Sequence, residues 1–155
     1  MLSDLIGNKI LIIAAFTWAI AQILKVVVIL VQERRIAWNY FVNSGGMPSA
    51  HTATVCALCT AIAMTVGMSS IYFSISVVLA VIVMYDAASV RQSVGQHSAV
   101  LNRIVKEFSF NSTTKVNLGK EFREFIGHTP FQVFIGALLG VLIAWTWMTL
   151  SGGKL

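Results

Sequence analysis

The sequence predicts an all-α integral membrane bundle of about four transmembrane helices with amphipathic surface helices appended, in one domain over residues 1–155. Three observations carry that expectation. Of the 155 residues, 57% are hydrophobic and only 11% are charged, against roughly a quarter charged in an ordinary soluble domain. The apolar residues gather in four long runs. The cations collect between some of those runs and avoid the others. A soluble globule of this length could not cover so much apolar surface, and there is no room for a second folded unit.

The first run, Ile10 to Val31, is interrupted by Gln22 and Lys25. At about 1.5 Å per residue it reaches across the roughly 30 Å of a hydrocarbon core, and it is too long for a signal-peptide core. The second, 50–66, is studded with Ala53, Ala57, Ala61 and Ala63. Gly67-Met68-Ser69-Ser70 supplies a tight turn, and a third run follows over 71–85. The fourth, 131–150, carries Trp145 and Trp147 near its end, where aromatic belts sit. Gly136 and Gly140 within it have the spacing that lets another helix approach closely. Cys56 and Cys59 form a CxxC inside an apolar run, without a second thiol pair or a nearby His, and read as packing residues.

Between the third and fourth runs, the polar stretch 91–127 repeats apolar residues at helical spacing. Val94, Leu101, Ile104, Val105 and Phe108 alternate with Arg103, Lys106 and Glu107; Leu118, Phe122, Phe125 and Ile126 lie beside Lys120, Glu121, Arg123 and Glu124. Both sets read as amphipathic helices on the membrane surface, joined by Asn111-Ser112-Thr113-Thr114. With four spans, the first and third loops share one side. The first carries Arg34 and Arg35; the third carries Arg91, Arg103, Lys106, Lys115, Lys120 and Arg123. The positive-inside rule makes these loops cytoplasmic and puts both termini outside a plasma membrane. No basic face interleaved with aromatics stands outside the apolar runs, so nucleic acid is not an expected partner.

Polar residues that a membrane helix carries only at a cost converge toward that cytoplasmic face. Gln22 and Lys25 lie in the second half of the first span; Pro48, Ser49 and His51 open the second; Asp86 and Arg91 close the third; His128 opens the fourth. Each has a plainer reading: Lys25 as a snorkelling side chain, Asp86 and Arg91 as an end-of-helix pair, each His as a cap or packing residue. As a group they suit phosphoryl transfer. One imidazole attacks phosphorus and another protonates the leaving oxygen, while cations hold the equatorial oxygens. Helix starts after Gly45-Gly46 and Gly127 offer backbone N–H groups to the same anion. The competing reading is a hydrolytic metal, but only His51, Asp86 and His128 could ligate it.

Two strings resemble a known family. Gly45-Gly46-Met47-Pro48-Ser49-Ala50-His51 resembles the second signature of the type 2 phosphatidic acid phosphatase superfamily. Gly127-His128-Thr129-Pro130-Phe131-Gln132-Val133, continuing to Gly136 and Gly140, resembles the third. With Tyr85-Asp86-Ala87-Ala88-Ser89-Val90-Arg91 and Val100-Leu101-Asn102, the arrangement is similar to the divergent branch of that superfamily, from Gln22 to Gly140. The resemblance implies a metal-independent phosphatase of a lipid phosphomonoester such as phosphatidylglycerophosphate or an isoprenoid phosphate, needing no cofactor. It implies His128 as the nucleophile that becomes phospho-histidine and His51 as the general acid. Lys25, Ser49 and Gly46 would contact phosphate, with Arg91 as a further cation and Asp86 and Gln22 in support. The alternative to catalysis through His128 and His51 is Mg²⁺ held through Asp86.

The chain departs from the pattern at three places. Gln132 stands where an acid normally orients the nucleophilic His. Gln32 and Glu33 stand where the first signature has Arg-Pro. Arg123 is one residue too close to His128 for the third. Arg91 and His97 have the correct separation, but Leu101 follows where the acid belongs and no Gly-rich span comes after. Non-catalytic binding of a lipid phosphate, and a structural or transport-associated bundle, are therefore carried as alternatives. The superfamily's usual six spans against four here suggest a homodimer that completes the bundle. In a Cys56→Ala, Cys59→Ala background, Asn111→Cys should label only from the cytoplasm, and Ser3→Cys and Ser151→Cys only from outside. Cytoplasmic labelling of the two ends would reverse the orientation.

Overall fold

The computed structural model describes residues 7–33, 46–111 and 127–152, and the described residues are helices with their caps and turns. In chain order they are α1 (Lys9–Glu33), α2 (Ala50–Thr65), α3 (Ile71–Tyr85), a π turn (Asp86–Val90), α4 (Arg91–Asn111) and α5 (Pro130–Leu150). The bundle proper is α1, α2, α3 and α5. The short α2 stands at its centre and packs against the other three.

Small side chains let α2 occupy the centre. Ala50, Ala53, Ala57 and Ala61 are buried on it, and α5 answers with glycines. A Cβ on Gly136 would come 2.6 Å from the carbonyl oxygen of Ser49, and one on Gly140 would collide with the carbonyl of Ala53. The expected close approach along Gly136 and Gly140 is thus realised against α2. On α1 the buried residues Ile13, Thr17, Ala21, Lys25 and Ile29 recur every four positions and form one inward stripe. The opposite faces are apolar and open, as at Ile23, Val31, Ile71, Tyr72 and Leu150, which lipid can cover. Hydroxyls within the helices bond back to carbonyls one turn earlier, Thr54 to Ala50 at 2.7 Å and Thr146 to Leu142 at 2.8 Å. These two bonds keep their hydroxyls paired, whereas the buried Thr17 hydroxyl on α1 has no partner among the described residues.

Turns follow the local chemistry. Ser70 caps α3 through the Phe73 N–H, and Gly67, at φ +96°, closes the α2–α3 turn expected at 67–70. Trp145 faces outward as an aromatic-belt residue should, whereas Trp147 turns inward and meets Phe16 of α1 edge-on, centroids 4.9 Å apart.

Two expectations change. Three helical stretches are long and apolar enough to cross a membrane, 9–31, 71–105 and 130–150. The second apolar run forms a shorter helix, whose 16 residues rise only about 24 Å. The third span does not stop at Tyr85. Its helix continues without a break through the π turn into α4, a 35-residue stretch from Ile71 to Val105, which at about 52 Å must extend beyond the hydrocarbon. The predicted surface helix beginning at Arg91 is therefore a continuation of the span. Residues 112–126, which hold the expected second amphipathic helix, and the first-loop arginines Arg34 and Arg35 lie outside the described residues.

The glycine contacts rank two substitutions. Gly140→Ala forces a methyl against the Ala53 backbone and should cost about 1–3 kcal/mol by overpacking. Gly67→Ala meets open space and should cost only the left-handed backbone penalty, about 1 kcal/mol. Thermal loss of helical signal in detergent measures both, and Gly140→Ala should melt earlier.

Candidate functional site

The polar residues meet where α2 and α5 begin and α3 ends. The two starts are tied together: the Ser49 N–H donates to the Gln132 carbonyl at 3.3 Å. A cavity of about 200 Å³ opens beside them. His51, in the first turn of α2, and His128, just before the Thr129 cap of α5, both line it. Ile82 and Val83 give it an apolar wall from the last turn of α3, Asp86 and Ala87 add to it from the π turn, and Arg91 completes it from the start of α4. α1 runs eight residues past Lys25 to Glu33, about 12 Å, so the level of Lys25 lies well inside the bundle rather than at its rim.

His128 is the most constrained of these groups. Its side chain is 1% exposed, and its N–H donates to the Ala87 carbonyl at 3.1 Å. Thr129 and Gln132 form a capping box: the Thr129 hydroxyl accepts from the Gln132 N–H, and Gln132 Oε1 accepts from the Thr129 N–H at 3.1 Å. That reciprocal bond fixes which end of the amide is oxygen. Oε1 also lies 3.3 Å from His128 Nδ1, so Nδ1 carries the proton and donates. Nε2 is then the lone-pair nitrogen, buried and without a hydrogen-bond partner of good geometry among the described residues. An orphaned buried acceptor on a ring that lines a cavity is a costly arrangement, the kind kept where a reacting atom belongs.

His128 lies just outside the α5 span, and burial holds its pKa below the ordinary imidazole value. The Gln132 bond works the other way, Lys25 and His51 add to the lowering, and the nearby Gly46 backbone opposes it. The imidazole is therefore neutral at pH 7, as a nucleophile must be.

Lys25 is 2% exposed on α1 and does not line the cavity, but its charge reaches His128. Gly46, at φ +99°, lies over the Lys25 stem, 3.2 Å from where its own Cβ would be. Arg91 Nε donates to Asp86 Oδ2 at 2.6 Å. Both side chains are roughly 40% exposed, at 43% and 39%, and pairs so exposed add only about 0–1 kcal/mol to stability. Ser49 is placed differently from the expectation of a phosphate contact. It is fully buried as the α2 cap, 3.0 Å from the Thr52 hydroxyl, and is not among the cavity-lining residues. Gln22 is half-buried on α1, also off the cavity wall. His97 is exposed on α4 and takes no part in the cavity. Among the described residues, no three His, Cys, Asp or Glu side chains gather as a metal-ligating group.

Sequence reasoning missed the apolar wall and the carbonyl of Ala87. Asp86 and Arg91 five positions apart were the available signal, because that spacing faces together only in a π turn.

Fold and cavity thus define a multi-pass membrane protein with a two-histidine site recessed at one end of its bundle. The chain belongs to the divergent PAP2 family, whose sequence profile matches residues 6–143. It is 36% identical over 131 residues to the uncharacterized membrane protein YuiD of Bacillus subtilis (strain 168), covering 79% of this chain and 83% of that protein. No solved structure matches the chain.

The Gln132 contact can be read directly. Gln132→Glu replaces a neutral acceptor by a carboxylate beside Nδ1, which favours the imidazolium. The His128 titration followed by NMR should move upward from its depressed wild-type position. An unchanged midpoint would mean that residue 132 does not hold the ring.

Proposed function

We propose that this protein is a phosphatase of membrane lipid phosphomonoesters, working through a phospho-histidine at His128 with its site toward the cytoplasm. The observation that carries the proposal is the buried Nε2 of His128, without a partner among the described residues, on a ring that lines a cavity shared with His51 and Arg91. Membership of the divergent PAP2 family agrees with it.

In the first step, Nε2 of neutral His128 attacks phosphorus and the ester P–O bond breaks. The departing oxygen keeps the electron pair and takes a proton from the His51 imidazolium, releasing the lipid alcohol. In the second, neutral His51 takes a proton from water as its oxygen attacks phosphorus. The N–P bond breaks, its electron pair returns to Nε2, and inorganic phosphate leaves. Gln132 keeps Nδ1 as the donor throughout, and Arg91 with Lys25 offsets the charge on the phosphoryl oxygens. The hydrocarbon of the leaving group fits the wall made by Ile82 and Val83. No metal enters either step.

A second reading rests on Gln132. A carboxamide orients the ring but cannot support an imidazolium as a carboxylate would, which favours slow turnover or binding of a lipid phosphate without hydrolysis.

Phosphate release from purified protein in detergent, with a panel of lipid phosphomonoesters, tests both. Turnover should survive EDTA, vanish in His128→Ala and fall to a small residue in His51→Ala, since general acid catalysis contributes about 10²–10⁴. Gln132→Glu should raise it. The acid limb of the pH profile reports protonation of His128 and should lie below the ordinary histidine value of about 6.5, because burial holds that pKa down. Loss in EDTA restored by Mg²⁺, or normal turnover by His128→Ala, would reject the mechanism.

A further inference from the structure

The π turn at Asp86–Val90 does two things that a regular helix could not. In an α-helix, side chains five apart point about 140° away from each other. In a π turn the hydrogen bonds run from residue i to i+5, and such residues stand nearly one above the other. Here the Arg91 N–H bonds the Asp86 carbonyl, and the same register brings Arg91 Nε to Asp86 Oδ2 at 2.6 Å. The turn also redirects a carbonyl. Ala87, which would accept from the Arg91 N–H in a regular helix, accepts from the His128 N–H instead.

Gly127 makes that second contact feasible. It has φ +147°, and a Cβ there would lie 2.6 Å from the Gln92 nitrogen and 2.7 Å from the Arg91 carbonyl carbon. The chain preceding α5 therefore lies backbone to backbone on the end of the π turn. One local distortion, placed where the apolar part of the third span ends, connects the cation of one helix to the imidazole at the start of another.

We infer that Asp86 is a positioning residue that acts through Arg91. By holding the guanidinium at Nε, it leaves both terminal amino groups for the phosphoryl oxygens of a ligand in the cavity. The π turn is the device that sets this arginine and His128 in one frame. The inference rests on the reading of the cavity as a phosphomonoester site, and it gives the chain an arginine that its signature strings lack at the usual positions. The half-exposed pair adds little to folding, which is why its removal should leave the protein intact.

The probe is decylphosphonate in detergent micelles, whose C–P bond resists hydrolysis, so binding is read whether or not the protein turns over. Calorimetry would compare wild type, Arg91→Gln, Asp86→Ala, Asp86→Asn and the Arg91→Gln, Asp86→Ala double variant, at matched helicity and elution volume. Arg91→Gln should weaken binding at least tenfold, as loss of a charged hydrogen bond does. Asp86→Ala should weaken it about threefold to tenfold. Asp86→Asn, which keeps an oxygen for Nε, should fall between Asp86→Ala and wild type. In the Arg91→Gln background, Asp86→Ala should bring no further loss, because a residue that acts only through another has nothing left to position. Additive losses in the double variant, or unchanged affinity in Asp86→Ala, would overturn the inference. Phosphonate binding by wild type without phosphate release from any lipid would overturn the phosphatase reading alone. Failure of wild type to bind the phosphonate would overturn both.

Discussion

The contact between α2 and α5 is the constraint from which the site follows. Gly136 and Gly140 bring the α5 backbone onto the carbonyls of Ser49 and Ala53 with no side chain between them. In a membrane, where apolar burial does not distinguish helix from lipid, such close packing is a main source of helix association. The approach also aligns the two helix starts, through the bond from the Ser49 N–H to the Gln132 carbonyl. His51 sits one residue inside one start and His128 just before the other, so the packing that holds the bundle together also pairs the two imidazoles.

Gln132 serves that alignment and also holds the ring of His128. Its side chain closes the capping box on Thr129 and holds Nδ1 of His128. Satisfying helix-end donors is a local requirement of any helix, yet here it also selects the tautomer of a buried ring. An amide at this position supplies the oxygen that orients the ring and carries no charge of its own. The capping box forms with an amide because it needs an oxygen acceptor, not a charge.

Much of the fold was legible in the residues because hydrophobic periodicity and helix-end chemistry are local. The four apolar runs became helices close to their expected limits, with Ser70 and Thr129 as caps and Gly67 in the turn. Gly136 and Gly140 announced a close approach, though not its partner. Lys25, Asp86, Arg91, His51 and His128 were legible as a group, since each is an expensive residue at membrane depth. The continuation of α3 through Asp86–Val90 was not legible. A rise in polarity at Arg91 looks the same whether a helix ends there or leaves the hydrocarbon intact.

The sequence alone therefore determined the class of the protein, its helices and the inventory of reactive side chains. These follow from composition, from period and from the cost of charge in lipid. Tertiary structure decided which of those side chains share a cavity. It set Ser49 into a helix crossing and left His97 outside the site. It put the carbonyl of Ala87 under His128 and left Nε2 of His128 without a partner among the described residues. Those assignments depend on rotation about helix axes and on a single π turn, and both are set by packing between segments far apart in the chain.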